Sequence, residues 1–243
     1  MQQVHHERID DIGFSELKVI QNPDWFCYGI DSVLLADFAK GKKQANVTDL
    51  GTGTGIIPLI LYHKANPKHI FGVEAQPSVA EMAKKSVLLN HLEDVIDIVP
   101  CNVKEAANYI GFLSQDVVVT NPPYVAQNGG LKNEEEEKAA ARHEILGNLE
   151  DFIICAKEIL KDGGDFYIIH RPYRLADVIY LCRKYRLEPK RIQFVQPIEG
   201  KKPNLFLLHC VKYAKPELKF LDPICVYDKK GSYTREILDI YER

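Results

Sequence analysis

The sequence predicts an α/β fold: a mostly parallel β-sheet with helices on both faces. Three observations carry that expectation. From residue 45 onward, short β-rich runs alternate with segments of helical period, the pattern of βα units joined by right-handed crossovers. Five such repeats are followed by two β-rich runs joined by a turn. A glycine-rich break, Gly51 to Gly55, separates the first run from the first helical segment.

Each element has a local reason. The run ANVTDL over 45–50 is β-rich and carries Asp49 near its end. Residues 56–65 have helical length, and Pro58 is tolerated because it falls in the first turn. His69 to Ala75 reads as the second strand. Pro77 opens a helix over 77–90 whose Val79, Met82, Ala83, Val87 and Leu88 lie near the 3.6 period. A third strand over 95–101 and a weaker helix over 103–113 follow. QDVVVT, 115–120, is a continuous apolar run of the buried parallel type, stopped by Asn121-Pro122-Pro123. Residues 125–147 are polar and charged, a long loop with a short helical piece. A helix over 148–161 is stopped by Gly163-Gly164, and a strand (165–170) and a helix (174–185) come next. Strands 189–198 and 204–213, joined by IEGKKPN, form an antiparallel hairpin. No repeat or linker divides the chain. The expected organisation is a cap segment (1–44), one main domain (45–213) and a tail (214–243) that ends in a short charged helix and packs on or near it.

Composition narrows the class. Apolar residues make up 46% of the chain, as in a soluble globule, and no apolar run approaches the ~20 residues of a membrane span. The polar leader MQQVHHERIDD lacks a signal-peptide core, so a cytoplasmic protein with no membrane contact is expected; a monomer is expected too, though nothing in the residues fixes the oligomeric state. The six cysteines are dispersed and form no CxxC pair, which argues for buried thiols and against disulfides or zinc. The Glu134 to Glu137 run reads as a solvated face, so no metal is expected. A net charge of −3 disfavours a generic nucleic-acid binder. Yet the positive charge is clustered at Lys40, Lys42 and Lys43, at Arg183, Lys184, Arg186, Lys190 and Arg191, at Lys201 and Lys202, and at Lys229 and Lys230. Such clusters supply phosphate contacts or merely solvated faces.

Two motifs carry chemistry. Asp49-Leu50-Gly51-Thr52-Gly53-Thr54-Gly55 follows a strand and opens a helix, where open α/β sheets bind ligands. It lacks the GKS or GKT of a phosphate-cradling loop, and its G-x-G-x-G spacing differs from the dinucleotide fingerprint. A carboxylate at Asp49 suits a ligand with a cationic amino group and no phosphate, as in S-adenosylmethionine. Glu74 ends the second strand 25 residues later, where an acid accepts ribose hydroxyls. Asn102, with its neighbour Val103 just past the third strand, is placed to meet the adenine amino group through its amide.

The second motif, Asn121-Pro122-Pro123-Tyr124, closes the fourth strand. Two prolines fix the backbone and remove donors, so the segment presents acceptors: the Asn121 side-chain oxygen and the Pro122 carbonyl. An exocyclic NH₂ has two hydrogens to meet them. Holding both out of plane localises the nitrogen lone pair. Tyr124 offers a ring face for stacking a base. A rigid turn with an exposed tyrosine would look the same in isolation; the glycine loop upstream makes the functional reading specific.

These residues resemble the amino methyltransferases of the NPPY type, and more closely the bacterial tRNA1(Val) adenine-N6 methyltransferase family, over most of the chain. The order of five βα repeats and a terminal hairpin likewise resembles the class I methyltransferases, whose Rossmann-like sheet has seven strands, mostly parallel with one antiparallel. The segment Phe26-Cys27-Tyr28-Gly29-Ile30-Asp31-Ser32-Val33-Leu34-Leu35 matches the family's entry segment. The resemblance implies Tyr28 and Asp31 at the methionine end of the cofactor; alone, the stretch reads as a helix start capped by Asp31. Ala141-Arg142-His143-Glu144 is also similar to this family, and implies that Arg142 and His143 meet RNA phosphate or orient the base. His170 and Arg171, after the fifth strand, are expected to line the substrate cleft. Relatives often carry Asp where this chain has Asn102.

The resemblance implies an S-adenosylmethionine-dependent N6-methyltransferase acting on the adenosine beside the anticodon of tRNA1(Val), with the anticodon stem-loop as partner. The motif itself leaves protein glutamine N5-methylation of release factors and rRNA amino methylation open. Only 44 residues precede the first strand, too short for the helical domain usual in the glutamine enzymes, and no DNA target-recognition domain follows. An RNA-binding module that has lost its chemistry is disfavoured by the intact loop, Glu74 and tetrad.

Overall fold

The computed structural model describes residues 7–24, 27–124 and 147–243. Among the described residues, nine strands form the main sheet: β3 (Asn46–Leu50), β4 (His69–Val73), β5 (Ile96–Val99), β6 (Gln115–Thr120), β7 (Leu160–His170), β8 (Leu187–Ile198), β9 (Leu205–Lys212), β10 (Lys219–Phe220) and β11 (Ile224–Tyr227). Their order is β10-β8-β9-β7-β6-β3-β4-β5, and β11 also pairs with β8. β3 to β7 run parallel, and β9 lies antiparallel to both β7 and β8. The strands from β3 to β9 therefore make the expected seven with one reversed. The short β10 and β11 pair in parallel with β8 and extend its outer side. β1 (Arg8–Asp11) and β2 (Lys18–Gln21) form a separate hairpin.

The helices are α1 (Ile30–Phe38), α2 (Ile56–Ala65), α3 (Pro77–Leu89), α4 (Ala106–Ile110), α5 (Leu149–Ile159), α6 (Leu175–Lys184) and α7 (Arg235–Ile240). They cover both faces of the sheet, and the period-2 alternation of each strand divides the core accordingly. Val117, Val119 and Ile169 join the cluster under α1, α2 and α3, while Val118, Phe166 and Ile168 join the one under α4, α5 and α6. The hairpin docks on α3, where the Lys18 amide donates to Asn90 Oδ1 (2.9 Å) and the Ile20 amide to Ser86 Oγ (2.9 Å). α5 starts with a capping box: the Asp151 amide donates to Asn148 Oδ1 (3.1 Å) and the Asn148 amide to Asp151 Oδ2 (2.8 Å).

Several boundaries differ from expectation. Gly163-Gly164 ends no helix; β7 begins at Leu160, directly after α5, and the glycines form a bulge inside it. Gln115 pairs with Leu160 but Val117 with Asp165, so the extra residues loop out there. Gly163 has φ +75°, which favours glycine, and a Cβ on Gly164 would stand 2.8 Å from the Lys161 carbonyl oxygen, which requires it. α4 spans only Ala106–Ile110 of the expected 103–113. β8 begins two residues early, at Leu187. Asp31 does not cap α1: Gly29 is the N-cap, and Asp31 sits in the first turn. The long loop expected over 125–147 lies, apart from Gly147, outside the described residues.

Candidate active site

The strand register brings the motifs to one edge. Asp49 pairs with Gly72, Leu50 with both Val73 and Thr120, and Val73 with Val99. The carboxyl ends of β6, β3, β4 and β5 are therefore level. Neighbouring strands lie about 4.8 Å apart, so Asn121, Gly51 and Glu74 leave the sheet within about 10 Å of one another.

Backbone hydrogen bonds shape the glycine loop. The Gly51 and Thr52 amides both donate to the Val73 carbonyl at 2.9 Å, and the Gly55 amide to the Thr52 carbonyl at 3.0 Å. Glu74 clamps the loop: Oε2 accepts from the Gly53 amide (3.0 Å) and Oε1 from the Gln76 amide (2.9 Å). Burial raises the Glu74 pKa against these bonds, which favour its charged form. Gly51 and Gly53 take positive φ, +79° and +56°, but face different surroundings. A Cβ on Gly51 would stand 3.2 Å from Phe152, whereas one on Gly53 would meet nothing within 4 Å. Gly53 thus faces open space at the strand edge.

Asp49 is fully buried, and neither carboxylate oxygen has a hydrogen-bond partner. The Thr52 hydroxyl lies near enough to favour the charged form but makes no hydrogen bond of proper geometry. Burial, reinforced by the nearby Glu74 charge, pushes the Asp49 carboxyl up to about 7. A buried, unpaired carboxylate is costly and calls for a cation or a proton. The buried hydroxyls of Thr48, Thr52 and Thr54 are also without partners. This donor set fits an amino-acid ammonium, as the sequence suggested for S-adenosylmethionine.

The remaining residues are placed as follows. Asn102 Oδ1 accepts from the Lys104 amide at 3.0 Å, an Asx turn that engages the oxygen expected to face a ligand. Val103 is buried in the α4 core. The Tyr28 amide donates to Gln21 Oε1 at 3.1 Å, which ties the entry segment to the N-terminal hairpin. Asp31 Oδ1 accepts from the Ser32 amide at 3.0 Å, and its Oδ2 lies 3.2 Å from the Tyr124 hydroxyl. Arg142 and His143, with the rest of 125–146, lie outside the described residues.

At the tip of β6 the Tyr124 hydroxyl donates to Asn121 Oδ1 at 2.5 Å. Burial, aided by the Asp31 charge, holds the Tyr124 pKa above its ordinary value, so the phenol stays protonated. Its ring meets His170 edge-on at 5.1 Å and carries the Arg171 guanidinium 4.9 Å above its centroid. His170 is 2% exposed, and burial drives its pKa down to about 4, so it is neutral at pH 7. Its Nδ1 accepts from the Arg171 amide at 2.7 Å, which leaves the ring hydrogen on Nε2. The structure thus gathers Asp31, Asn121, Tyr124, His170 and Arg171 at one place, beside Asp49 and Glu74.

Sequence reasoning missed three supports. The Thr120 hydroxyl, fully buried, donates to the Leu50 carbonyl at 2.7 Å and locks the tip of β6 to the start of the glycine loop. A hydroxyl closing an apolar run is its only local signal. The Val73 carbonyl gathers two loop amides, a role any residue type could fill. Gly72 lets Thr52 approach: a Cβ there would stand 2.8 Å from Ile98 and 3.1 Å from Thr52. Among the described residues, no group of three His, Cys, Asp or Glu is arranged to hold a metal ion. None of their helices is long and apolar enough to cross a membrane.

Comparison with known proteins follows the same lines. The model of a family described as methyltransferase small domain matches residues 16–179. The chain is 27% identical over 241 residues to a tRNA1(Val) (adenine(37)-N6)-methyltransferase of Porphyromonas gingivalis, covering 96% of this chain and 94% of the relative. It is 26% identical over 235 residues to the Haemophilus influenzae protein of the same name, covering 93% and 94%. Among solved structures, a protein of Agrobacterium tumefaciens described as a predicted O-methyltransferase superposes with a TM-score of 0.71 at 21% identity, over 87% of this chain and 95% of that one. That likeness shows the class I methyltransferase fold.

Proposed function

The chain belongs to the methyltransferase small domain family, and from that membership we propose that it methylates N6 of an adenine in tRNA, the adenosine beside the anticodon of tRNA1(Val), using S-adenosylmethionine. The observation that carries the reading is the shared strand edge. A buried carboxylate without a partner, Asp49, and the acceptor-bearing tip Asn121-Pro122 stand one strand apart, held together by Thr120. Relatives named tRNA1(Val) (adenine(37)-N6)-methyltransferase along nearly their whole length supply the acceptor. A tRNA acceptor supports a cytoplasmic location.

S-adenosylmethionine, when bound, supplies a methyl group on a sulfonium that is itself a good leaving group. This chain's residues do the rest. Asp49 would hold the cofactor's ammonium and Glu74 its ribose hydroxyls, with Tyr28, Asp31 and Asn102 bordering the same space; Val103, expected there too, is instead packed in the α4 core. Asn121 Oδ1 and the Pro122 carbonyl accept both hydrogens of the adenine amine, hold them out of the ring plane and direct the lone pair outward. Tyr124 stacks the base. His170, a weak base with its pKa driven down to about 4 and its Nδ1 already engaged by the Arg171 amide, positions and takes no proton. Positioning supplies up to ~7–11 kcal/mol of barrier lowering, and the methylated amine then gives its extra proton to solvent water. An anticodon loop suits this edge because a splayed base needs no duplex opening.

The test is transfer of labelled methyl to bulk tRNA from a strain lacking the gene, followed by nucleoside mass spectrometry. N6-methyladenosine in tRNA is the expected product. Labelling of a release factor or of rRNA in its place overturns the proposal.

A further inference from the structure

The sequence holds four basic clusters, and the topology sorts them. Lys40, Lys42 and Lys43 precede β3, and Arg183, Lys184 and Arg186 precede β8, so both sets stand at the amino edge of the sheet, away from the reaction. The other two clusters go to the carboxyl edge. β9 is antiparallel to β7 and to β8, so β8 ends on the same side as His170. β11 runs parallel to β8, with Tyr227 beside Ile198. The turn carrying Lys201 and Lys202 and the turn carrying Lys229 and Lys230 are therefore neighbours on the active-site side.

They also stand above it. Thr120 is level with Ile168, Leu208 and Ile192, so β8 continues six residues past the end of β6 before it turns at Ile198. At about 3.3 Å per residue, the two turns rise roughly 20 Å beyond that level, three to four strand spacings to the side of Asn121. Arg171 links this wall to the tetrad: its guanidinium lies over the Tyr124 ring and donates to the Asn204 carbonyl at 3.3 Å.

The lysines are displayed on rigid supports. Asp228 Oδ1 accepts from the Lys230 (2.8 Å) and Ser232 (3.0 Å) amides, and the Asp228 amide donates to the Ser232 carbonyl at 2.8 Å. Tyr227 and Tyr233 bracket that turn, stacked at 5.3 Å, and the stack runs on through Tyr241 to Phe14. All four lysines are exposed, and Lys201, Lys202 and Lys230 make no ion pair with a described residue. Lys229 lies 3.8 Å from Glu199, both highly exposed, a solvated pair of little weight. Asp228 is committed to its own turn. In a chain of net charge −3, this wall is locally cationic.

We infer that the β8–β9 turn and the β11–α7 turn form a phosphate rail that holds the sugar-phosphate backbone of the acceptor RNA while its target base enters beside Tyr124. The inference rests on the proposed tRNA activity and adds the surface that recruits the substrate. Phosphate contacts of this kind position the nucleic acid and carry no sequence information. Cations spaced along an edge and bracketed by partly exposed tyrosines suit a polyanion with bases, more than a single small anion.

The experiment compares the wild-type chain with the quadruple variant Lys201→Gln, Lys202→Gln, Lys229→Gln and Lys230→Gln. Binding of unmodified tRNA is measured at several salt concentrations, alongside S-adenosylmethionine affinity, melting temperature and methyl transfer. The rail predicts tRNA affinity about 10- to 100-fold weaker and a salt-dependence slope shallower by roughly 2 to 4. The KM for tRNA rises while kcat at saturation, cofactor affinity and melting temperature stay near wild type. Unchanged tRNA affinity and slope overturn the rail while the proposed activity stands. A wild-type chain that neither binds nor methylates tRNA overturns that activity and the rail with it. A variant defect seen only with a protein acceptor assigns the wall to an acidic peptide and overturns the RNA rail.

Discussion

The Tyr124 hydroxyl occupies the acceptor oxygen of Asn121, at 2.5 Å, the atom that the proposed reaction needs for the substrate amine. Asp31 Oδ2 waits 3.2 Å from the same hydroxyl, so its single proton has a second acceptor to turn to. In the proposed reaction an incoming amine would exchange places with the phenol, and Asp31 would receive the displaced hydroxyl. Asn121→Ala is expected to abolish turnover while cofactor affinity, measured by calorimetry, stays within a few fold. Undiminished turnover removes Asn121 from the mechanism.

The ring and the hydroxyl of Tyr124 separate by substitution. Tyr124→Phe keeps the stacking face and should retain turnover within about tenfold. Tyr124→Ala removes a base-stacking contact of ~1–3 kcal/mol, which corresponds to roughly 5- to 150-fold in KM for tRNA. Equal KM values for the two variants would contradict a stacking role.

Asp49 makes both stability and cofactor binding depend on pH. Its folded pKa, about 7, lies above the unfolded value near 3.8, so the fold holds this proton more tightly than the unfolded chain. The associated stability is present below the unfolded value and is lost as pH rises towards 7. Asp49→Asn should match wild type near pH 4 and be more stable, by a few kcal/mol at most, near pH 8. Thermal melts across that range test the sign. Cofactor affinity should move oppositely: the ammonium needs the carboxylate, so wild-type affinity falls towards tenfold per unit below pH 7, with proton release on binding. Asp49→Asn should bind weakly at every pH.

His170 gives a second pH signature. Its folded pKa, about 4, lies below the unfolded value near 6.5, so the stability it contributes is present above 6.5 and lost as pH falls through 4. His170→Phe should flatten that acid-side loss in thermal melts. The turnover profile should show no limb from His170 between pH 6 and 8, because the ring is already neutral there. A limb abolished by His170→Phe would make it a proton carrier.

Gly53 and Gly51 offer a paired test of the loop. Gly51→Ala meets Phe152 at 3.2 Å with φ +79°, so it should destabilise the fold by ~1–3 kcal/mol. Gly53→Ala meets no neighbour and should cost less stability, about 1 kcal/mol, yet raise the KM for the cofactor because its methyl enters the open space. Chemical denaturation and cofactor titration separate the two effects.

What the sequence made legible was local. Alternating runs, Pro77 at a helix start and the glycine break between strand and helix each act within a few residues, and these elements stand near their expected bounds. The motif residues were legible because strand ends attract ligands, so Asp49, Glu74 and Asn121 needed only the parallel register to meet. Long-range effects were hidden. Gly163-Gly164 reads as a stop in isolation, but the pairing of Leu160 with Gln115 draws the strand back through it. β10 and β11 form because β8 offers a free side, which nothing in their own residues announces. Tyr124 could be expected to stack a base; that its hydroxyl reaches Asn121 and Asp31 depends on α1 lying against the tip of β6.

The reversed strand β9 has a consequence for how such a protein changes over time. Because it turns the chain round once, the last hairpin delivers its loop to the reaction side without passing through the half of the sheet that carries the glycine loop. In the proposed reaction, insertions or losses in that loop would change how firmly an acceptor's backbone is gripped and leave methyl-donor recognition untouched. Donor recognition and acceptor grip would thereby be free to drift as separable traits.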